Sequence, residues 1–189
     1  FDVFVMPADG GTAQRLTTHS TGEIPSTFTP DGKYILFSAS IQDPASSALF
    51  PTSAIDRAYK VPATGGVRSK CWAPCRSGLL RQGGPSVLYQ DRKGFEDEWR
   101  KHHTSSITRD IWLYDAKTGI HTNLTDRAGE DRNPVLSPDG RTVYFLSERN
   151  GGSFNVYAFP LAQPREVKPI TSFKTHPVRF LSMSDGGTL

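Results

Sequence analysis

Among the residues whose type and spacing suit chemistry, the carboxylates stand out. Asp31, Asp139 and Asp185 each precede a glycine, in Thr29-Pro30-Asp31-Gly32, Ser137-Pro138-Asp139-Gly140 and Ser184-Asp185-Gly186. Acid-base catalysis needs two such groups converging on one substrate, whereas a turn needs them singly. Proline presets φ, aspartate bonds its own backbone, and glycine accepts a positive φ before strand residues resume. We read all three as turn residues. The pair His102-His103 invites a metal, but neighbours on an extended chain point to opposite faces, and no further ligand stands at a recognised spacing. Cys71 and Cys75 flank three residues instead of the two of a zinc knuckle. Two cysteines are also too few for a disulfide framework. Serine, histidine and aspartate occur without a Gly-x-Ser-x-Gly elbow. The pairs Gly65-Gly66, Gly83-Gly84 and Gly151-Gly152 lack a phosphate-loop lysine. No catalytic residue, metal or cofactor is assigned.

The elements that hold these residues repeat. Leu16-Thr17, Leu124-Thr125 and Ile170-Thr171 each precede an Asp-Gly step by the same 14 residues: 17 to 31, 125 to 139 and 171 to 185. An apolar-aromatic strand recurs as Asp2-Val3-Phe4-Val5-Met6, Asp110-Ile111-Trp112-Leu113-Tyr114 and Asn155-Val156-Tyr157-Ala158-Phe159. From its first residue to the Leu-Thr or Ile-Thr step is 14, 14 and 15 residues. Asp-Gly positions at 31, near 83, at 139 and at 185 give periods of 52, 56 and 46, close to the range of repeat architectures. The unit reads as a four-stranded antiparallel meander, with repeats over 1–37, 58–89, 110–146 and 155–189 and long insertions at 38–57 and 90–109.

Composition agrees with an all-β chain: 189 residues, 36% hydrophobic, 17 Gly and 14 Pro. Its net charge of +3 is mild, with both signs interleaved, so nucleic acid is not implied. No run approaches the roughly 18 apolar residues of a membrane helix. The chain opens inside a strand, as expected of a piece of something longer.

The second repeat is damaged. Ala58-Tyr59-Lys60-Val61-Pro62 and Ser86-Val87-Leu88-Tyr89 keep the register, yet 68–84 holds neither a Leu-Thr nor an Asp-Gly step. Either this blade has diverged, or the sequence is locally wrong through a compensated pair of reading-frame slips.

A meander with Ser-Pro-Asp-Gly before one strand, Asp-Ile-Trp-Leu-Tyr in the next and Leu-Thr closing the unit resembles the TolB-type β-propeller blade, over nearly the whole chain. The insertion running from Tyr89-Gln90-Asp91 through Phe95-Glu96-Asp97-Glu98-Trp99 to His102-His103-Thr104-Ser105-Ser106 is similar to the N-terminal propeller of tricorn-like serine peptidases of the S41 class. The resemblance implies a non-catalytic propeller, of which about three and a half blades are present. It also implies partners: the remaining blades and a protease domain of the parent chain, peptide or protein substrates, and a further copy of the chain in a homo-oligomer. Catalytic residues would lie outside this chain. A periplasmic or envelope location follows from bacterial members, a cytoplasmic one from archaeal members. The alternatives are a TolB-like protein-binding module with no attached enzyme and a propeller hydrolase whose active site lies elsewhere.

Strand parity sends the Asp-Gly and Gly-Gly turns to one end of each sheet and the two insertions to the other. Long loops inside compact repeats tend to be functional. The candidate binding residues there are Arg92, Glu96, Trp99, Arg100, His102, His103 and Arg109. They mix both charges with an aromatic of the kind that anchors interfaces. The competing reading is a solvated loop with Phe95 and Trp99 tucked against the blade. For the damaged segment, peptide mass mapping of the natural protein across 68–84 is expected to depart from the printed residues; a match there sinks the frame-slip explanation.

Overall fold

The computed structural model describes residues 1–29, 31–41, 57–80, 86–91, 102, 104, 106, 108–184 and 186–189, with backbone alone for 70–80. Among these residues the regular structure is all strand, and the chain divides into two compact units, Phe1–Gly78 and Leu79–Leu189.

The first unit opens with the antiparallel hairpin β1 (Phe4–Val5) and β2 (Gln14–Arg15). A meander follows: β3 (Glu23–Phe28), β4 (Tyr34–Ala39), β5 (Arg57–Pro62) and β6 (Ser69–Leu80), each antiparallel to the last. Alternation along β4 and β5 sends Ile35, Phe37, Tyr59 and Val61 to one face, where Val3 and Leu16 of the hairpin segment cover them. The Phe37 and Tyr59 rings stack at 5.6 Å.

The second unit repeats this plan. β7 (Ser86–Asp91), β8 (Ile111–Asp115) and β9 (Ile120–Asn123) present Leu88, Ile111 and Leu124 to the sheet β10 (Asp131–Leu136), β11 (Thr142–Ser147), β12 (Asn155–Pro160) and β13 (Lys168–Pro169). That sheet answers with Val143, Phe145, Tyr157 and Phe159. Its other face carries Leu146, Phe154 and Val156, against which Val178 and Leu181 pack. Both β3 and β10 slip register at a proline, between Pro25 and Thr27 and between Arg132 and Val135. Proline offers no N–H to a ladder and is tolerated on edges and at bulges.

The Leu-Thr step has a structural cause. The N–H groups of Leu16, Leu124 and Ile170 each reach the carbonyl of Val3, Ile111 and Val156 at 2.8 Å. The next residue's hydroxyl, Thr17, Thr125 or Thr171 Oγ1, then accepts the N–H of that same partner at 2.9 Å. Asp110 and Asn155, just before the partner, take a side-chain bond from Asn123 and from Thr171 respectively.

The sheets are cut in a different phase from the repeats counted along the sequence. β12, at the head of the repeat 155–189, pairs over its six residues with β11, inside the repeat 110–146. The hairpin β1–β2 is likewise a sheet of its own, and the insertion 38–57 lies between paired strands instead of between sheets. A repeat fixes a period and leaves the starting point free; hydrogen bonding sets it at the strand before the Asp-Gly turn.

The Asp-Gly turns bond themselves. Thr29 and Ser137 donate their hydroxyls to Asp31 and Asp139 at 2.5 Å. The same carboxylates accept the N–H of Lys33 and Arg141, and Gly32 and Gly140 sit at φ +67° and +69°. The third turn closes one residue sooner: Ser184 N–H reaches the carbonyl of Thr188, where Ser137 N–H reaches that of the more distant Thr142. Asp185 itself lies outside the described residues. The hydroxyl bond first, then the backbone N–H, hold Asp31 and Asp139 below the ordinary 3.8. Because the folded-state value is depressed, the stabilisation is complete above 3.8 and is lost as pH falls through the folded value. Carboxyl NMR titration is expected to place the Asp139 midpoint below 3.8 and to move it upward in Ser137→Ala; an unchanged midpoint contradicts this account.

Candidate functional site

In each unit the turns gather at one end of the sheet. Ala63 N–H bonds the carbonyl of Lys33 at 2.8 Å, and Leu161 N–H that of Arg141 at 2.7 Å, tying the second turn of a sheet beside its Asp-Gly turn. The opposite end holds the linkers between sheets and the described ends of the two insertions. Of the expected binding residues, Arg92, Glu96, Trp99, Arg100 and His103 lie outside the described residues. His102 and Arg109, which end the second insertion, are described, and both tie it to the β10–β13 sheet.

His102 takes a positive φ of +52° and donates its backbone N–H to Glu148 Oε2 at 2.6 Å, with Nδ1 4.0 Å from the same oxygen. Glu148 is buried and the imidazole half exposed. Arg109 places Nη1 3.3 Å from Glu130 Oε1, and its carbonyl accepts the N–H of Asp131 at 2.9 Å. Beside them Gln90, buried at the end of β7, accepts the N–H of Asn133 at 2.7 Å. Asn133 has a φ of +50°, a conformation asparagine tolerates better than most residues. It supplies the bulge that carries β10 past Pro134.

The centre of this end is a carboxylate that the sequence reading passed over. Asp131 has no exposed surface. Arg127 Nε stands 3.2 Å and Arg149 Nη2 3.0 Å from its Oδ2. Ser147 Oγ accepts from both guanidiniums, at 3.0 and 3.1 Å. Arg149 also lies over the rings of Phe145 and Tyr157, at 4.9 and 5.2 Å. Burial raises the Tyr157 phenol above its ordinary 10.0, and the charges of Arg149 and Arg127 pull it partly back. Gly129, at φ +114°, lets Arg127 fold back: a Cβ there would stand 2.7 Å from Nη1. Arg132 is buried over the Phe154 ring at 3.9 Å.

The chemistry open to this arrangement is cohesion and recognition. Asp131 and Glu130 face guanidiniums, and Glu148 accepts the backbone N–H of His102. Elsewhere Tyr89 Oη meets His121 Nδ1 at 2.8 Å, His19 Nδ1 meets the hydroxyl and accepts the N–H of Thr21, and His176 Nδ1 meets the hydroxyl of Thr175. Among the described residues no group of three or more His, Cys, Asp or Glu is placed to hold a metal. A sequence signal for Asp131 did exist: it lies eight residues before Asp139, as Glu23 lies eight before Asp31.

A family model described as the Tricorn protease N-terminal beta propeller domain matches residues 1–189. The chain is 40% identical over 52 residues to an uncharacterized peptidase, YuxL, of Bacillus subtilis (strain 168), covering 28% of this chain and 8% of that protein. It is 39% identical over 72 residues to dipeptidyl-peptidase 5 of Porphyromonas endodontalis, covering 36% of this chain and 10% of that one. The crystal structure of TolB from Acinetobacter baumannii superposes with a TM-score of 0.67 at 19% identity, covering 95% of this chain and 39% of TolB. The chain therefore spans about a tenth of the length of these curated relatives. The likeness to TolB concerns the fold, and with the antiparallel meanders it makes this chain an all-β partial propeller, as the repeats had led us to expect.

Removing Arg149 leaves Asp131 buried beside one cation instead of two, and breaking a buried pair costs about 3 kcal/mol. Urea denaturation of Arg149→Ala is expected to read a loss of this size, against less than about 0.5 kcal/mol for the exposed Arg165→Ala. Equal effects from the two substitutions contradict the clamp.

Proposed function

Because this chain belongs to the family of Tricorn protease N-terminal β-propeller domains, we propose that it is the non-catalytic propeller of a longer tricorn-like serine peptidase of the S41 class. In that protein it guides or recruits unfolded peptides to a protease domain carried elsewhere on the polypeptide. The family match over residues 1–189 carries the reading; the peptidase names borne by two relatives support it. The loop end is the side proposed to meet peptide, since the turn end spends its carboxylates on its own backbone. There His102 and Arg109 of the second insertion bond to the sheet; Arg92, Glu96, Trp99, Arg100 and His103 belong to the same insertion in the sequence. The protein is proposed to work in the cell envelope, with the remaining blades and the protease domain as its covalent partners.

The test is made on the longer protein. A serine-reactive probe is expected to label it and to leave the 189-residue chain unlabelled. Trp99→Ala with Arg100→Ala is expected to raise KM for a long unfolded polypeptide several-fold while leaving a short fluorogenic peptide unaffected. Absence of labelling turns the reading toward a TolB-like binding module. An equal effect on both substrates removes the guiding role.

A further inference from the structure

The two units contain the same buried carboxylate position, satisfied in one and not in the other. Glu23 and Asp131 each open the first strand of a meander, each lies eight residues before an Asp-Gly turn, and each follows the Leu-Thr threonine by six: 17 to 23 and 125 to 131. They are 1% and 0% exposed. Asp131 is held by Arg127, two residues after its threonine, and by Arg149, ten after its Asp-Gly aspartate. The corresponding residues of the first unit are His19 and Ile41. Neither offers a guanidinium.

What Glu23 has instead is one bond. Thr17 Oγ1 donates to its Oε2, and Oε1 is buried with no hydrogen-bond partner among the described residues. Among the described residues, the charged side chains near it in the sequence and in its sheet row are otherwise occupied. Arg15 pairs with Asp2 at 2.6 Å, and His19 turns its Nδ1 to Thr21. Arg57, across Ala39 in the same row of the sheet, has interactions of its own. Residues 40–56, which follow β4 in the sequence, contain no Lys, Arg or His. A buried carboxylate without a cation is strongly destabilising, and nature ordinarily pairs it.

We propose that Glu23 is the receptor for a guanidinium supplied from outside the chain, the side chain of an arginine in a bound peptide. The site comprises Glu23 Oε1, Thr17, His19 and Ile41, approached through the linker 18–22, where Thr18, Ser20 and Gly22 are exposed. The ligand takes the place that Arg127 and Arg149 fill in the second unit, where the repeat demonstrates that this backbone setting accepts planar donors on a buried carboxylate. The inference rests on the peptide-guiding reading above and names what the guided peptide must carry.

The repeat also prescribes how to fill the site from within. His19→Arg restores the missing side chain, and Thr21→Gly supplies the glycine that Arg127 requires at position 129. The experiment is a carboxyl-detected NMR titration of the 189-residue chain with Nα-acetyl-arginine amide, using the citrulline analogue, Nα-acetyl-lysine amide and potassium chloride as controls. The expected result is a saturable shift of the Glu23 carboxyl with arginine and none with citrulline. Binding should weaken at least tenfold in Glu23→Gln and vanish in the double variant His19→Arg/Thr21→Gly, which should melt no lower than the parent chain. Undiminished binding by Glu23→Gln, or no saturation with arginine, overturns the proposal; equal shifts with lysine or potassium overturn the guanidinium assignment. The readout is binding to this chain, and the guiding role is read by proteolysis in the longer protein, so either can fail alone.

Discussion

A threonine hydroxyl lets this chain leave one sheet and enter the next. Val3, Ile111 and Val156 are the first core residues of their strands, and both backbone groups of each are taken by two consecutive residues. Leu16, Leu124 or Ile170 donates an N–H to the carbonyl, and Thr17, Thr125 or Thr171 accepts the N–H on its side chain. A backbone oxygen in that second role would prolong the ladder by another residue. The side-chain oxygen ends it with that N–H satisfied, and the backbone is released into the linker. The preceding leucine meanwhile enters the core, as Leu16 and Leu124 do. Apolar anchor and polar terminator are therefore bound to adjacent positions, and in the first two cases the strand from there to the next Asp-Gly turn, β3 or β10, has the same six residues.

Features of this local kind were legible in the sequence. The Asp-Gly turn is complete within six residues, from Ser137 to Thr142, so its residue types announce it. The period of the fold was legible for the same reason. The phase was not, since it depends on which strands share hydrogen bonds, and a tandem pattern looks alike wherever it is cut. The Asp131 clamp was missed because its parts come from three segments: the linker with Arg127, the start of β10, and Ser147 with Arg149 at the end of β11. None forms a motif alone. Of the candidate site, the sequence emphasised the aromatic and charged stretch 92–103, most of which lies outside the described residues, whereas the contacts described are those of His102 and Arg109 with the sheet.

Burying so much charge would be costly if each group had a single partner. At the loop end of the second unit the costs are shared: Ser147 bridges two guanidiniums, Asp131 joins the same two, and the aromatic faces of Phe145 and Tyr157 lie under Arg149. Arginine suits this work because its planar fork keeps several donors in fixed geometry and its faces pack on rings. Gly129 is part of the same device, since only a residue without a side chain leaves room for Arg127 to turn back over its own linker.

The two ends of the sheets consequently have different freedom to evolve function. At the turn end, Asp31 and Asp139 are each committed to a neighbouring hydroxyl and N–H, and a change of residue disturbs the hairpin that defines the repeat. At the loop end, the connections are long and the buried carboxylate can draw its cation from any segment that reaches it. The repeat already uses that latitude: Asp131 is neutralised from the linker and from the strand end, while Glu23, in the same setting, keeps a threonine alone among the described residues. A position whose partner is interchangeable among segments of one chain is also one at which a partner from another chain can be accepted. Recognition can then arise by deleting a self-contact, with no new pocket needing to be built.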